Sequence, residues 1–494
     1  MEELAFFTKC IRDDKMPSCL ARDTLNFNRT FFRGDDRLSF TRWSFLLGIY
    51  PPSSVNGGVQ QYADLCRNHI ADLQASGNRL WKNVVRTEHT DSVPLEEKKK
   101  GRLKFDQSSS SDSDAASMGG TDMNPLRPVQ ESEYAREFVL RGIRKEAHKD
   151  VERLFWEPSL FDRSQTRKDI EDILIMYCVQ NACDYKQGMH EVVALCYYAA
   201  HRDADLLGSS SWTVVSKDAI LPAEVHLMRE VLLFSYTEIV SLVYAVFAAL
   251  MAGHLSLKHF FFRNPENEDL DVLRCAKRVQ SELLLSLDPS LHQLLNTTYQ
   301  IESGCYLVRW LRVLFIREFS LFQTVFIWEV LFAECCIYHL QHRAYSLCDG
   351  FAAALAARMI HHVKQVLIKG ADTALRCLVT YPPVDTIMPL IENAVRHTEG
   401  PIQAYVVYRT PALDDYPRVQ QRHQMGGRCR PSREHIEFYG ERLDSIARKM
   451  ENYRVANLDK RDGIHLLPEN DSAFYEALAE IKKMRDTFLY DMGD

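Results

Sequence analysis

A chain of 494 residues with 46% hydrophobic and 26% charged residues has the balance of an ordinary globular protein and room for about two or three domains. Its net charge of −7, from 67 acidic and 60 basic residues, argues against a general nucleic-acid binder, which carries a basic surplus. The 13 cysteines are odd in number, scattered and without C-x-x-C spacing, which argues against a disulfide framework or a zinc site and predicts reduced, mostly buried thiols.

The first residues, MEELAFFTKC, bring acids in early and lack the apolar run of a signal peptide. Asp106 to Pro128 is rich in Ser, Asp and Gly and is expected to be a mobile insertion. Near its end Pro125 and Pro128 flank Leu126, which makes a restrained apolar knob. The stretch AHKDVERLFW (147–156) reads as helix, with Asp150 and Arg153 at i, i+3, a spacing at which a carboxylate limits the rotamers of a guanidinium. Ile170, Leu174, Tyr177 and Cys178 share one face of the next helix, and the loop DYKQGMHE (184–191) follows it. Polar insertions are expected at DADLLGSSSWT, from Asp203, and at RNPENED, from Arg263. The longest apolar run, Ile239 to Gly253, falls short of the ~20 residues of a membrane span and reads as a buried core helix. Phe351 to Lys369 is Ala-rich and helical, with Gly370 placed to end it. Tyr408 to Ser432 reads as linker. Two apolar stripes follow, one from Ile436 to Tyr453 and one from Phe474 to Phe488, suited to packing on the main body or to offering a face to a partner. Period-two alternation is scarce, so the expected class is all-α, without a repeat of fixed period.

The chemistry narrows by elimination. The P-loop pattern, H-E-x-x-H and G-x-S-x-G are all missing from the sequence. Cys183 and His190 are sequence neighbours, whereas a catalytic thiol and its base are normally brought together by the fold. Arg153 and Gln187 remain. Alone, Arg153 is a solvated ion pair worth a few tenths of a kcal/mol, and Gln187 is a loop amide beside a hinge glycine. Together they match what phosphoryl transfer to water requires: positive charge on the phosphate oxygens and an amide that orients the water. A chain with no nucleotide loop of its own would supply both to a partner's nucleotide.

These two stretches resemble the finger motifs of the TBC (Tre-2/Bub2/Cdc16) domain of Rab GTPase-activating proteins. The family motif I-x-x-D-x-x-R falls on Asp150 and Arg153, and Y-x-Q on Tyr185 and Gln187. A third block is similar through Arg309, Trp310, Phe315, Arg317, Glu318, Phe319 and Trp328, and an entry element through Arg37, Trp43, Leu47, Gly48 and Pro51. Departures are Ala147 for the family's Ile, Leu154 and Trp156 for Thr and Pro, and Glu329 for Asp. The resemblance implies a two-lobed helical TBC domain over 37–395, interrupted by a disordered insertion at 106–130. A 1–36 N-terminal arm would precede it, and a 396–432 linker and a 433–494 helical segment would follow. It implies Arg153 and Gln187 as catalytic fingers, supported by Asp150, Tyr185 packed beneath the loop, and Gly188. No cofactor is implied for this chain, since Mg²⁺ and GTP belong to the partner Rab. YKQGMHE in place of the commoner YxQGMN, YAVFAALM (244–251) and Asn124-Pro125-Leu126 point to one branch of the family. That branch implies a cytoplasmic protein recruited peripherally to endosomal membranes, acting on a late-endosomal Rab of the Rab-seven type and docking on retromer through Pro125 and Leu126. The competing expectation is a non-catalytic Rab- or retromer-binding scaffold built on the same fold.

Overall fold

Apolar residues recur at helical spacing along most of the chain, and helices form there. The structure, a computed structural model, describes residues 2–25, 37–52, 58–86, 133–154, 157–209, 222–264 and 269–398. Trp156, the Asn124-Pro125-Leu126 motif and residues 433–494 lie outside the described residues, as does nearly all of the expected linker. The class is all-α; there is no β-strand among the described residues.

The helices that build and frame the site are α1 (Glu2–Arg12), α2 (Ser18–Leu25), α3 (Ser39–Leu46), α4 (Gly58–Arg86), α5 (Glu133–Val151), α6 (Ser164–Gln180), α7 (Met189–Gly208), α8 (Tyr236–Ala252), α9 (Leu321–Leu340), α10 (Phe351–His362) and α11 (Met388–His397). Two of them start on reciprocal capping boxes, Ser235 with Glu238 for α8 and Ser320 with Gln323 for α9, which satisfy orphan amides at the helix start. α6 packs between α5 and α7, α8 lies against α7 and α4, and α9 is covered by α2 and α3.

Residues 2–25 sit within this body. Leu4, Phe7, Leu20 and Leu25 are buried in the same apolar cluster as the rest of the core, and α2 runs along α9. The reason is electrostatic as well as apolar. Arg42, fully buried, is met by Glu3 at 2.7 Å, Asp23 at 2.6 Å and Glu329 at 3.5 Å. Glu329 also takes a forked contact from Arg37, with Nε at 2.9 and 2.7 Å from its two oxygens. A buried guanidinium is tolerated only when paired and hydrogen-bonded, and here the partners come from α1, α2 and α9 together. Trp43 packs tilted against Trp328 with ring centroids 5.4 Å apart, so the entry element and the third sequence block form one joint.

Three expectations need correction. The longest apolar helix among the described residues is α9 rather than the run ending at Gly253. It is long and apolar enough to cross a membrane, yet 78% of its apolar window is buried inside the protein. Glu329 and Glu334 interrupt it in sequence, but both are buried and partnered, Glu334 by the Phe351 amide at 2.9 Å and the Tyr345 hydroxyl at 2.8 Å. The polar insertion expected from Asp203 begins later, because α7 continues to Gly208 and buried Asp203 accepts from the Thr41 amide at 2.8 Å and hydroxyl at 2.9 Å. The helix expected from Phe351 to Lys369 breaks at Val363, where the next residue, Lys364, turns toward Asp288 and Ser290.

Candidate functional site

Arg153 stands in the turn that closes α5, two residues beyond the helix in which the sequence pattern placed it. Its amide donates to the Asp150 carbonyl at 3.1 Å, and the Leu154 amide to the Val151 carbonyl at 3.0 Å. Ala147, Val151 and Leu154 are buried, so two of the positions that depart from the family pattern, Ala147 and Leu154, help seat this helix end. The Arg153 side chain is 71% exposed, with Nη1 3.4 Å from Asp150 Oδ1. At that exposure the ion pair adds little to stability, but it biases where the guanidinium points.

The other carboxylate oxygen of Asp150 belongs to the loop. Tyr185 Oη lies 2.8 Å from Asp150 Oδ2 and 2.7 Å from His190 Nδ1. Burial, and then the bond to Asp150, push the Tyr185 phenol well above its ordinary range, so it keeps its proton and donates it to Asp150. Its oxygen then accepts from His190 Nδ1–H, which assigns the tautomer. Burial lowers the His190 pKa against the opposing pull of Glu191 and Asp150, so the ring is neutral at pH 7. A chain of donors therefore runs from His190 through Tyr185 to Asp150, whose other oxygen accepts from the exposed guanidinium.

Behind it, Glu191 is gripped by Arg317, whose Nε lies 3.0 and 2.8 Å from the two carboxylate oxygens while Nη2 closes the fork. The next residue, Glu318, is held by Arg309 at 3.2 Å, and burial pushes its carboxyl up to about 7. Through Arg317 the third sequence block reaches the loop.

Gly188 is the N-cap of α7, with φ of 103°. A Cβ built there would lie 3.0 Å from Val313 Cγ1 and 3.4 Å from Phe261 Cε1. Both the left-handed backbone and the close approach call for glycine. Gln187, immediately before it, is exposed. Arg153 and Gln187 are thus two exposed polar side chains carried on one buried, hydrogen-bonded frame. Tyr185, expected only to pack beneath the loop, also bonds to the arginine's carboxylate.

His190, Glu191 and Arg317 were not singled out as site residues from sequence. A signal was present: two polar residues in the first turn of a helix precede Val192, Val193 and Ala194, all apolar and buried. Among the described residues no cluster of three or more His, Cys, Asp or Glu side chains is arranged to hold a metal ion.

Residues 130–348 match the Rab-GTPase-TBC domain family. The chain is 27% identical over 292 residues to human TBC1 domain family member 5, covering 55% of this chain and 34% of that protein. It is 34% identical over 125 residues to TBC1 domain family member 5 homolog B of Dictyostelium discoideum, covering 25% of this chain and 11% of that protein. It therefore spans about a third or less of the length of these curated relatives. The Ypt/Rab-GAP domain of Gyp1p, a crystal structure, aligns with a TM-score of 0.48 at 13% identity, covering 80% of this chain and 96% of that one.

Proposed function

We propose that this chain, whose residues 130–348 match the Rab-GTPase-TBC domain family, accelerates GTP hydrolysis by a Rab GTPase, lending Arg153 and Gln187 to the partner's active site. Arg153 neutralises charge on the transferring γ-phosphoryl group, and Gln187 orients the attacking water. Mg²⁺ and GTP arrive with the Rab. The observation that carries this reading is the exposed Arg153 guanidinium held at the end of the His190–Tyr185–Asp150 chain, with Gln187 exposed on the same loop. A fold that only bound its partner would have no need to steer an arginine this way, which disfavours the scaffold reading.

A late-endosomal Rab as substrate, recruitment from the cytoplasm to endosomal membranes, and retromer docking through Asn124-Pro125-Leu126 are finer parts of the same proposal. Their support is the sequence resemblance alone.

The test is GTP loss from a panel of purified Rabs. At least one Rab is expected to be stimulated, and Arg153→Ala to reduce that stimulation by roughly 10³-fold. Arg153→Lys is not expected to rescue, since the ammonium lacks the planar fork. Gln187→Ala is expected to be nearly inactive, while a Rab lacking its own water-positioning Gln stays partly responsive. Near-normal stimulation by Arg153→Ala overturns the mechanism.

A further inference from the structure

α6 ends in a tight reversal just before the finger loop. The Cys183 amide donates to the Cys178 carbonyl at 3.0 Å, and the Ala182 amide to the Val179 carbonyl at 3.3 Å. Ala182 sits at a φ of 47°. Bonds of this 6→1 and 5→2 pattern, around a left-handed residue, define a Schellman ending. That geometry brings the side chain of the last residue back onto the helical residue five before it. Two apolar side chains usually meet there. In this chain both are cysteines, Cys178 buried and Cys183 half-buried, and the backbone turn sets their side chains against each other.

From this juxtaposition we infer that Cys178 and Cys183 form a reversible, peroxide-oxidisable disulfide site at the root of the loop that carries Tyr185 and Gln187. The two thiols are not equivalent. The neighbouring Cys178 draws the Cys183 thiol below its ordinary range, while the neighbouring Cys183 and burial raise Cys178. Cys183 is also the more accessible, so it is the attacking group. Its thiolate displaces hydroxide from hydrogen peroxide: an S–O bond forms, the O–O bond breaks, and the hydroxide takes a proton to leave as water. Cys178, giving up its proton, then attacks the Cys183 sulfur. An S–S bond forms, the S–O bond breaks, and a second water leaves. The two thiols supply the two electrons that reduce the peroxide, and a dithiol reverses the reaction.

A disulfide holds its sulfurs about 2.05 Å apart, well inside a non-bonded sulfur contact. Cys183 must therefore be drawn toward α6, and Asp184 and Tyr185 follow it directly. The Tyr185 hydroxyl is the link between the loop and Asp150. Oxidation is thus expected to disturb the seat of Arg153 and Gln187 together. This consequence for hydrolysis rests on the proposed GTPase-activating role; the disulfide itself does not.

The full-length protein is treated with hydrogen peroxide, its remaining thiols are alkylated, and the digest is mapped by mass spectrometry. A Cys178–Cys183 crosslink that dithiothreitol removes is expected. Amide exchange across 184–191 should change on oxidation in the wild type and not in Cys178→Ser. Rab stimulation should fall roughly 10²-fold on oxidation, the scale of an ångström's misplacement of a catalytic group. It should recover on reduction and be insensitive to peroxide in Cys178→Ser, which starts from wild-type activity. Overoxidation of Cys183 without the crosslink, or a crosslink that leaves exchange across 184–191 unchanged, overturns the inference. If the untreated protein stimulates no Rab, the functional reading fails, while crosslink and exchange still decide this site.

Discussion

At the level of single residues, His190 is the least expected member of the site. It is buried and neutral, and its Nδ1–H is spent on Tyr185, 2.7 Å away. Tyr185 in turn spends its proton on Asp150. Removing the first donor leaves a buried phenol oxygen without it and loosens the carboxylate that steers Arg153. His190→Leu is expected to lower kcat of the stimulated reaction by about 10- to 100-fold with KM little changed. His190→Asn, which keeps a side-chain N–H and restores the residue found in the commoner motif, should recover most of the loss. Single-turnover hydrolysis beside thermal melting checks this. If both variants fall equally in rate and in Tm, the histidine is only filling space.

Among the elements, the loop at 184–191 is rigid because other elements hold it from outside. Gly188 is pressed by Val313 and Phe261, and Glu191 is gripped by Arg317. Gly188→Ala meets both the positive φ and the 3.0 Å approach of Val313, and is expected to cost about 1–3 kcal/mol in urea denaturation. A change under about 0.5 kcal/mol would show that the seat yields. These contacts also explain what the sequence could and could not tell. The helices around Asp150 and the Ile170–Cys178 face were legible from local spacing, and so were Arg153, Tyr185 and Gln187 as a set. Arg317 was visible only as part of a block similar to the family, because its bond to Glu191 spans 126 residues and no local pattern encodes it. The polar character of Asp203 misled for the same reason: it reads as a surface residue until its distant partner Thr41 is seen.

For the whole molecule, several carboxyl groups are enclosed with the core, and stability should depend on pH through them. Burial pushes Asp203 up to about 8, and Glu334 and Glu318 each up to about 7. A carboxyl group whose pKa is higher folded than unfolded binds more protons in the native state. Its contribution is therefore fully present below the unfolded value and is lost as pH rises through the folded one. The Tm is expected to decline from pH 7 to pH 8.5, above the range in which the buried, neutral His190 contributes the opposite slope. Asp203→Asn, which mimics the protonated acid and can still accept from Thr41, should flatten part of that slope. A wild-type Tm that is level or rises across this range would contradict the assignment.

The ionic centre around Arg42 has a consequence for the order of events during synthesis. Arg37 and Glu329 are 292 residues apart, so the first is made long before the second. At 5–20 residues per second the delay is about 15–60 s. Through that interval Arg42 can meet Glu3 and Asp23 but not Glu329, and the faces of α2 and α3 that α9 will cover stay open. The nascent chain thus carries an incomplete core for most of its elongation. A ribosome that stalls between the finger loop and α9 would leave Arg153 and Gln187 already made on a body that cannot yet close.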